Sequence, residues 1–354
     1  EKGYENLFLQ SNSFDTTWAN LNTTETGGQA DKDGGATAWL LEKSSAGGSL
    51  KQDINTSGVN TFSAYVKAGS LNWIRIATST GFVGCWINIL DGVFGSVSSR
   101  IIDTNIESAG NDFYKISISF TDSISNIQVI PAEGNNVLGT SGSIYIQDAM
   151  LNQGLVAYPY IETTTAPVAG GILEDMPRLD WSGSCPSLLL EPSRTNLVKH
   201  SEYFSSWTKV GTPTIIDNTT ETLSPEGQYN AAKIIGDGTN GIYVATLGTA
   251  GGNNVKSIYI KGVNGGETCV IRDPNQTNII TTCNITTEWK RFESIDNQNA
   301  NIGFWLDNIP ASGIYVWGAQ LEYGTYPTSY IPTYGVSQTR LQYSAFASNV
   351  ASLI

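Results

Sequence analysis

The sequence predicts an all-β chain: two tandem antiparallel jelly-roll β-sandwiches joined by an extended, partly packed linker. Three observations carry this. Short runs alternate apolar and polar residues with period two, clusters of Gly, Asn, Asp and Ser separate them, and a segment recurs 170 residues further on. No window of 12 residues shows an apolar stripe with helix caps. The length of 354 residues suits two or three domains. A content of 37 Gly, 16 Tyr, 11 Phe and 9 Trp suits strands and turns rather than a helical enzyme.

In chain order, Glu5–Ser11 opens the first copy. It looks like a protease-tag scar, but Asn6-Leu7 with Ser11, Phe14 and Trp18 answers Asn196-Leu197 with Ser201, Phe204 and Trp207. Asp33-Gly34-Gly35 leading to Ala38–Leu41 answers Pro225-Glu226-Gly227 leading to Ala231–Ile235. Ser63–Lys67 answers Ser257–Lys261, and Phe113–Ile116 answers Trp289–Phe292. Strands are also expected at Asn72–Ala77, Trp86–Leu90, Lys115–Phe120, Ile127–Ile130 and Ile242–Thr246. In Lys115–Phe120 the residues Ile116, Ile118 and Phe120 share one face and Ser117 and Ser119 the other. Ile144–Thr163 aligns without gaps with Ile314–Thr333, and 8 of these 20 positions are identical. Copy one, from Asn6 to Tyr160, is 20 residues longer than copy two, from Asn196 to Tyr330, and loops are the expected place for the surplus.

These matches divide the chain into module one (1–162), a linker (163–195), module two (196–335) and a tail (336–354). Thr163–Gly171 reads as an extended connector. Pro177–Pro192 carries Trp181 and Leu188–Leu190, which need a surface to bury against on a module or a neighbouring chain. The tail, with Leu341, Tyr343, Phe346 and Val350–Ile354, is apolar enough to lead into a further domain or an assembly contact. With no initial Met or signal-peptide pattern, the chain reads as a piece of a longer polypeptide.

The run Pro177–Asp180, Trp181-Ser182-Gly183, Cys185-Pro186 through Leu197 resembles a segment of tailed-bacteriophage fibre and spike proteins that precedes a carbohydrate-binding-module-like jelly roll. Gly318–Gly324 with Tyr330–Thr333 resembles the closing strand of that module. The resemblance covers nearly all of residues 6–340. It implies a virion appendage on the virion surface or outside the cell, of tandem sandwiches, trimeric, among other virion structural proteins, meeting host cell-surface glycans. It names no sugar, and such modules also serve as spacers. Alternatives are a structural decoration protein, a polysaccharide depolymerase fragment and a bacterial surface adhesin.

The 19 basic residues against 32 acidic ones give a net charge of −13, which excludes a nucleic-acid partner because that affinity comes from Lys and Arg displacing counterions. No run of 18 apolar residues is present, so no membrane-spanning helix is expected. His200 is the only histidine, expected inside the first strand of copy two where copy one has Gln10, so triads and multi-histidine zinc sites are excluded. For glycoside hydrolysis, Asp148, Asp180, Asp273, Glu288 and Glu322 are available, but none sits in a catalytic signature, and Gly318 replaces Asp148. The sequence thus reads as non-enzymatic, without a cofactor. Calcium is the one candidate, in the loop Gln29–Gly35, where alternating carboxylates precede a Gly; a plain turn competes, since copy two has Ser224–Gly227 there. Gly248–Gly252 lacks the Lys and helix of a phosphate loop. Cys269 and Cys283 lie opposite each other across a turn at Pro274–Asn278, as a disulfide or as two packed thiols.

Sugars pack their C–H faces on aromatic rings while amides and carboxylates take their hydroxyls. Aromatics shared by both copies, Trp18/Trp207, Tyr65/Tyr259 and Tyr145/Tyr315, are expected in the core. Those unique to one copy, Trp73, Trp86, Trp305 and Trp317, are the carbohydrate-binding candidates, flanked by Asn72, Asn88 and Asp307.

Overall fold

A computed structural model of the chain describes residues 3–78, 83–171, 179–180, 184–246, 252–273, 278–297 and 302–342. It falls into two compact units, Gly3–Gly171 and one made chiefly of Ile172–Ile354.

The first unit runs β1 (Tyr4–Asn6), β2 (Ala19–Leu21), β3 (Thr23–Gln29), β4 (Ala38–Lys43), β5 (Ser49–Thr56), β6 (Asn60–Ala68), β7 (Trp73–Thr78), β8 (Gly84–Asn88), β9 (Val93–Val97), β10 (Ile101–Ser108), β11 (Tyr114–Phe120), β12 (Ile124–Ala132), β13 (Gly142–Gln153) and β14 (Val168–Gly170). Antiparallel pairing gives two sheets, β10-β11-β6-β13-β4-β3 and β2-β5-β12-β7-β8-β9. Alternate residues of both point inward. Leu41, Phe62, Val66, Ile116 and Ile144 of one meet Leu50, Ile74, Ile76, Ile87, Ile127 and Val129 of the other in a single core. Fully burying each such side chain contributes roughly 1.5–3 kcal/mol, so the core is the dominant stabilising term.

The second unit follows β15 (Leu179–Asp180) and β16 (Ser187–Leu188), which pair with each other. It runs β17 (Arg194–Asn196), β18 (Thr208–Val210), β19 (Thr214–Ile216), β20 (Ala232–Ile235), β21 (Asn240–Thr246), β22 (Asn253–Gly262), β23 (Thr268–Arg272), β24 (Ile279–Asn284), β25 (Lys290–Asn297), β26 (Ile302–Ile309), β27 (Ile314–Tyr323) and β28 (Gln338–Arg340). Its sheets are β18-β21-β26-β23-β24 and β19-β20-β27-β22-β25, around a core of Ile234, Ile258, Ile271, Phe304 and Leu321 among others. The one helical turn among the described residues is the 3-10 turn Phe204–Ser206. The chain is therefore all-β, two tandem sandwiches, as the sequence predicts.

The duplication extends to single hydrogen bonds. Asn6 Nδ2 donates to Ala149 O and Ile161 O, and its Oδ1 accepts from Phe8 N and Leu151 N. Asn196 does the same with Ala319 O, Ile331 O, Val198 N and Leu321 N. Ser11 meets Tyr160 and Thr163, as Ser201 meets Tyr330 and Thr333. Trp18 Nε1 donates to Gln10 O and Trp207 Nε1 to His200 O, both at 3.0 Å. A bulge after Gln147 puts Asp148 at φ 54°, and the matching bulge puts Gly318 at φ 65°. Glycine takes this left-handed backbone freely and aspartate tolerates it, which explains that substitution.

Several expectations are corrected. The 20-residue surplus is not loop. Residues 89–113 separate β8 from β11, whereas 285–289 separate β24 from β25, and the additional chain forms β9 and β10, one edge strand on each sheet. Val168–Gly170, expected in the connector, pairs with Tyr4–Asn6 as part of the first unit, just as β28 pairs with β17 in the second. His200 is not in the first strand of copy two, which ends at Asn196; it makes an isolated bridge to Tyr334. Leu188 and Leu190 are 45% and 56% exposed in the single chain, which goes against burial on a module and leaves the neighbouring-chain alternative. Trp181, the turn at 274–277, the Gly-rich stretch 248–251 and the tail beyond 342 lie outside the described residues.

Candidate functional site

On β7 and β8 the core takes Ile74, Ile76, Cys85 and Ile87, so strand alternation turns Trp73, Arg75, Gly84, Trp86 and Asn88 to the outer face of the sheet. The register sets Arg75 opposite Trp86 and Trp73 opposite Asn88. The Arg75 guanidinium carbon lies 5.5 Å from the Trp86 ring centroid, within reach of a cation–π attraction. The added strand β9 then supplies Ser96 and Val97, followed by Ser98. With Asn136 from the β12–β13 turn they line a shallow, open cleft of about 260 Å³ together with Arg75, Gly84 and Trp86.

That turn is braced against β9. Asn136 has φ 62°, and its Nδ2 donates to Ser96 Oγ at 2.7 Å; Asn135 Oδ1 accepts from Ser96 N at 2.9 Å. Trp73 reaches across β8 to lie over β9: a Cβ added to Gly95 would come within 2.7 Å of the Trp73 ring and 2.6 Å of Asn135 Oδ1. Glycine at 95 is what lets the ring lie there. Asn88 is engaged in its own turn, accepting from Leu90 N and Asp91 N. Trp73 and Trp86, both half-buried, are thus brought onto one face, and the arrangement sets an apolar ring and a guanidinium beside the hydrogen-bonded pair Ser96 and Asn136.

Trp305 and Trp317 are not brought to that site. Both belong to the second unit and are 7% and 4% exposed. Trp305 stacks on Tyr243, centroids 4.7 Å apart and planes within 3°, and the neighbouring Arg272 is held by Asp307 at 2.7 Å. Trp317 packs between Tyr259 and Tyr330. Neither leaves a ring face for a sugar. Trp18 and Trp207 lie in the cores as expected.

The carboxylates have structural work. Glu322 is fully buried, its Oε1 taking Thr328 N and Gln320 Nε2 and its Oε2 the Thr328 hydroxyl, with Arg194 at 3.8 Å. Asp273 accepts both the backbone N–H and the amide of Asn278. Burial pushes Asp148 up, against the pull of a hydrogen bond from Gln147 and of Lys32 at 3.7 Å. Glu288 is exposed, and the side chain of Asp180 lies outside what is described.

The calcium-like loop is a turn. Asp31 spends its oxygens on its own loop, taking Asp33 N, Gly35 N, Thr37 N and the Thr37 hydroxyl. The Thr37 hydroxyl above all, with these N–H groups, holds its pKa down at about 2. Asp33 pairs with Lys32. Copy two makes the same turn with Ser224 in place of Asp31, Gly227 N donating to Ser224 O as Gly34 N donates to Asp31 O. Positive φ at Gly34 (88°) and Gly227 (84°) makes these two equivalent, one residue off the alignment read from sequence.

Cys269 and Cys283 are register partners and free thiols, fully buried, so packed thiols rather than a disulfide describe them. Their mutual hydrogen bond and burial raise Cys269 well above the usual thiol range, and burial pushes Cys85 up to about 12. Only Cys185 is exposed. The His200 imidazole, lowered by burial and by nearby Lys199, has no hydrogen bond at Nδ1.

Sequence reasoning missed Arg75, Ser96, Ser98 and Asn136. Arg75 sits in a predicted strand beside the singled-out Trp73, and it lies on the same face because it is two residues on. The others come from β9 and a turn, and nothing in a local pattern says that an insertion will fold back as an edge strand. The unequal length of the two copies was the available signal.

No protein-family model matches this chain, and no curated protein matches it. Among solved structures it is similar to the tandem CBM22-1-CBM22-2 carbohydrate-binding modules of Xyn10C from Paenibacillus barcinonensis, at 11% identity over 90% of this chain and 97% of that one, with a TM-score of 0.27. The tandem CBM51 modules of Sp3GH98, a family 98 glycoside hydrolase from Streptococcus pneumoniae, match at 10% identity over 81% and 84%, with a TM-score of 0.23. A Paenibacillus xanthan lyase matches at 11% identity over 87% of this chain and 25% of its own, with a TM-score of 0.24. Likenesses at these scores carry no functional inference.

Proposed function

We propose that this chain is a non-enzymatic glycan-binding segment of a virion appendage, that its first sandwich carries the site, and that the second acts as a spacer. One observation carries the proposal: Trp86, Arg75, Ser96, Ser98 and Asn136 converge on one cleft on an outer sheet face. A cleft of about 260 Å³ is smaller than ligand sites for drug-sized molecules, roughly 300–1,000 Å³. It suits one sugar ring against Trp86, the rest of the glycan lying along the face towards Trp73. Single-ring sites bind weakly, and a trimeric appendage of the kind the linker run resembles raises avidity by presenting several at once.

The spacer role of the second sandwich rests on its closed chemistry, with Trp305 covered by Tyr243 and Arg272 neutralised by Asp307. Support for the non-enzymatic reading comes from Glu322 and Asp273, whose carboxylates hold the fold. The test is a glycan array on the whole chain. Binding that disappears in Trp86→Ala and persists in Trp305→Ala supports the proposal. A silent array, or release of reducing ends from a bound polysaccharide, overturns it.

A further inference from the structure

Resting on that reading, we infer that the ligand is an acidic glycan, whose carboxylate docks on Arg75 while the same sugar's ring packs on Trp86. Among the described arginines, Arg100, Arg194, Arg272 and Arg340 each face a carboxylate, and Arg291 donates to Ser257 and to the backbone of Thr328. Arg75 alone has no such partner among the described residues; its guanidinium lies over the Trp86 ring. Its neighbours on the outer face are Ile130 across β12, Trp86 across β8, and Trp73 and Ala77 along β7, and none carries an acid.

This is unusual in a chain of net charge −13, where acids outnumber bases 32 to 19 and a half-buried guanidinium would ordinarily find one. A guanidinium set in an apolar surround loses hydration that only an anion restores well. Its planar fork matches a carboxylate with two parallel hydrogen bonds. Arg75 and Trp86 line the same cleft, beside Ser96, Ser98 and Asn136. The second sandwich shows the same pairing closed off, since Arg272 lies beside Trp305 but already holds Asp307. The first sandwich lacks that internal acid, and the ligand supplies it.

The experiment titrates the whole chain with paired oligosaccharides: oligogalacturonate, a glucuronate-containing hyaluronan fragment and sialyllactose, each beside its carboxyl-reduced form. Reduction keeps the ring and removes the charge. At least one acid form is expected to bind about tenfold tighter than its reduced partner, the gap between charge-assisted and neutral hydrogen bonds. That ratio shrinks as sodium chloride is raised. Arg75→Gln brings the ratio to about one, whereas Arg100→Gln, at an arginine held by Asp122, leaves it at the wild-type value. Equal binding of acid and reduced forms, or a ratio that survives Arg75→Gln, overturns the acidic preference while leaving glycan binding standing. Capture of hexa-aspartate with no acidic sugar bound overturns it in favour of a protein ligand. Absence of binding to every glycan overturns the parent reading as well.

Discussion

Asp148 holds a left-handed backbone that its counterpart Gly318 occupies without a Cβ, and burial disfavours its charge. Asp148→Gly is therefore expected to raise stability by about 1 kcal/mol in a urea melt. Since its folded pKa is raised, ionisation destabilises the fold as pH climbs through the window above the ordinary carboxylate value. The gain should accordingly be larger at pH 7 than at pH 4. Asn6 and Asn196 behave oppositely: each amide satisfies two carbonyls and two N–H groups in a buried setting, so Asn6→Ala or Asn196→Ala should cost about 3 kcal/mol. Both asparagines were visible in the sequence as repeat positions, but their hydrogen bonds were not, because three of the four partners of each lie more than 120 residues away and leave no local mark. A thiol reagent applied to the native chain should label Cys185 and spare Cys85, Cys269 and Cys283, read by mass spectrometry.

Strands with one face in the core were legible from alternation alone, and β7, β8, β11, β12 and β21 fall where the pattern puts them, to within a few residues at the ends. β9 was not, since Val93–Val97 contains an interior Gly and stands at an edge, where little burial enforces a pattern. Its Gly95 gives a direct test. Gly95→Ala should push the Trp73 ring off β9, lowering glycan affinity on the array while the fold, read by circular dichroism, persists. On β22, Lys256 is fully buried against Asp296 at 2.9 Å, and burial lowers its pKa despite that partner. Lys256→Met should cost about 3–5 kcal/mol by stranding Asp296, whereas Lys256→Met with Asp296→Leu should be near neutral. Denaturant melts of the three proteins distinguish these outcomes.

At the scale of the molecule, two sandwiches with separate cores predict that residues 3–171 fold alone, giving a β-type circular dichroism spectrum and keeping whatever array signal the whole chain has. The doubling itself was readable because twenty aligned residues suffice to show it, while the division of labour between the copies was not, being set by which arginine finds an acid and which tryptophan is covered. In each copy the opening strand lies beside the closing one, Tyr4–Asn6 on Val168–Gly170 and Arg194–Asn196 on Gln338–Arg340. The polypeptide therefore enters and leaves each sandwich at the same pole. A repeat unit with adjoining ends can be spliced into a longer string, or removed from one, without redrawing the hydrogen bonds of its neighbours, and this makes lengthening by serial copying an accessible route for such a chain.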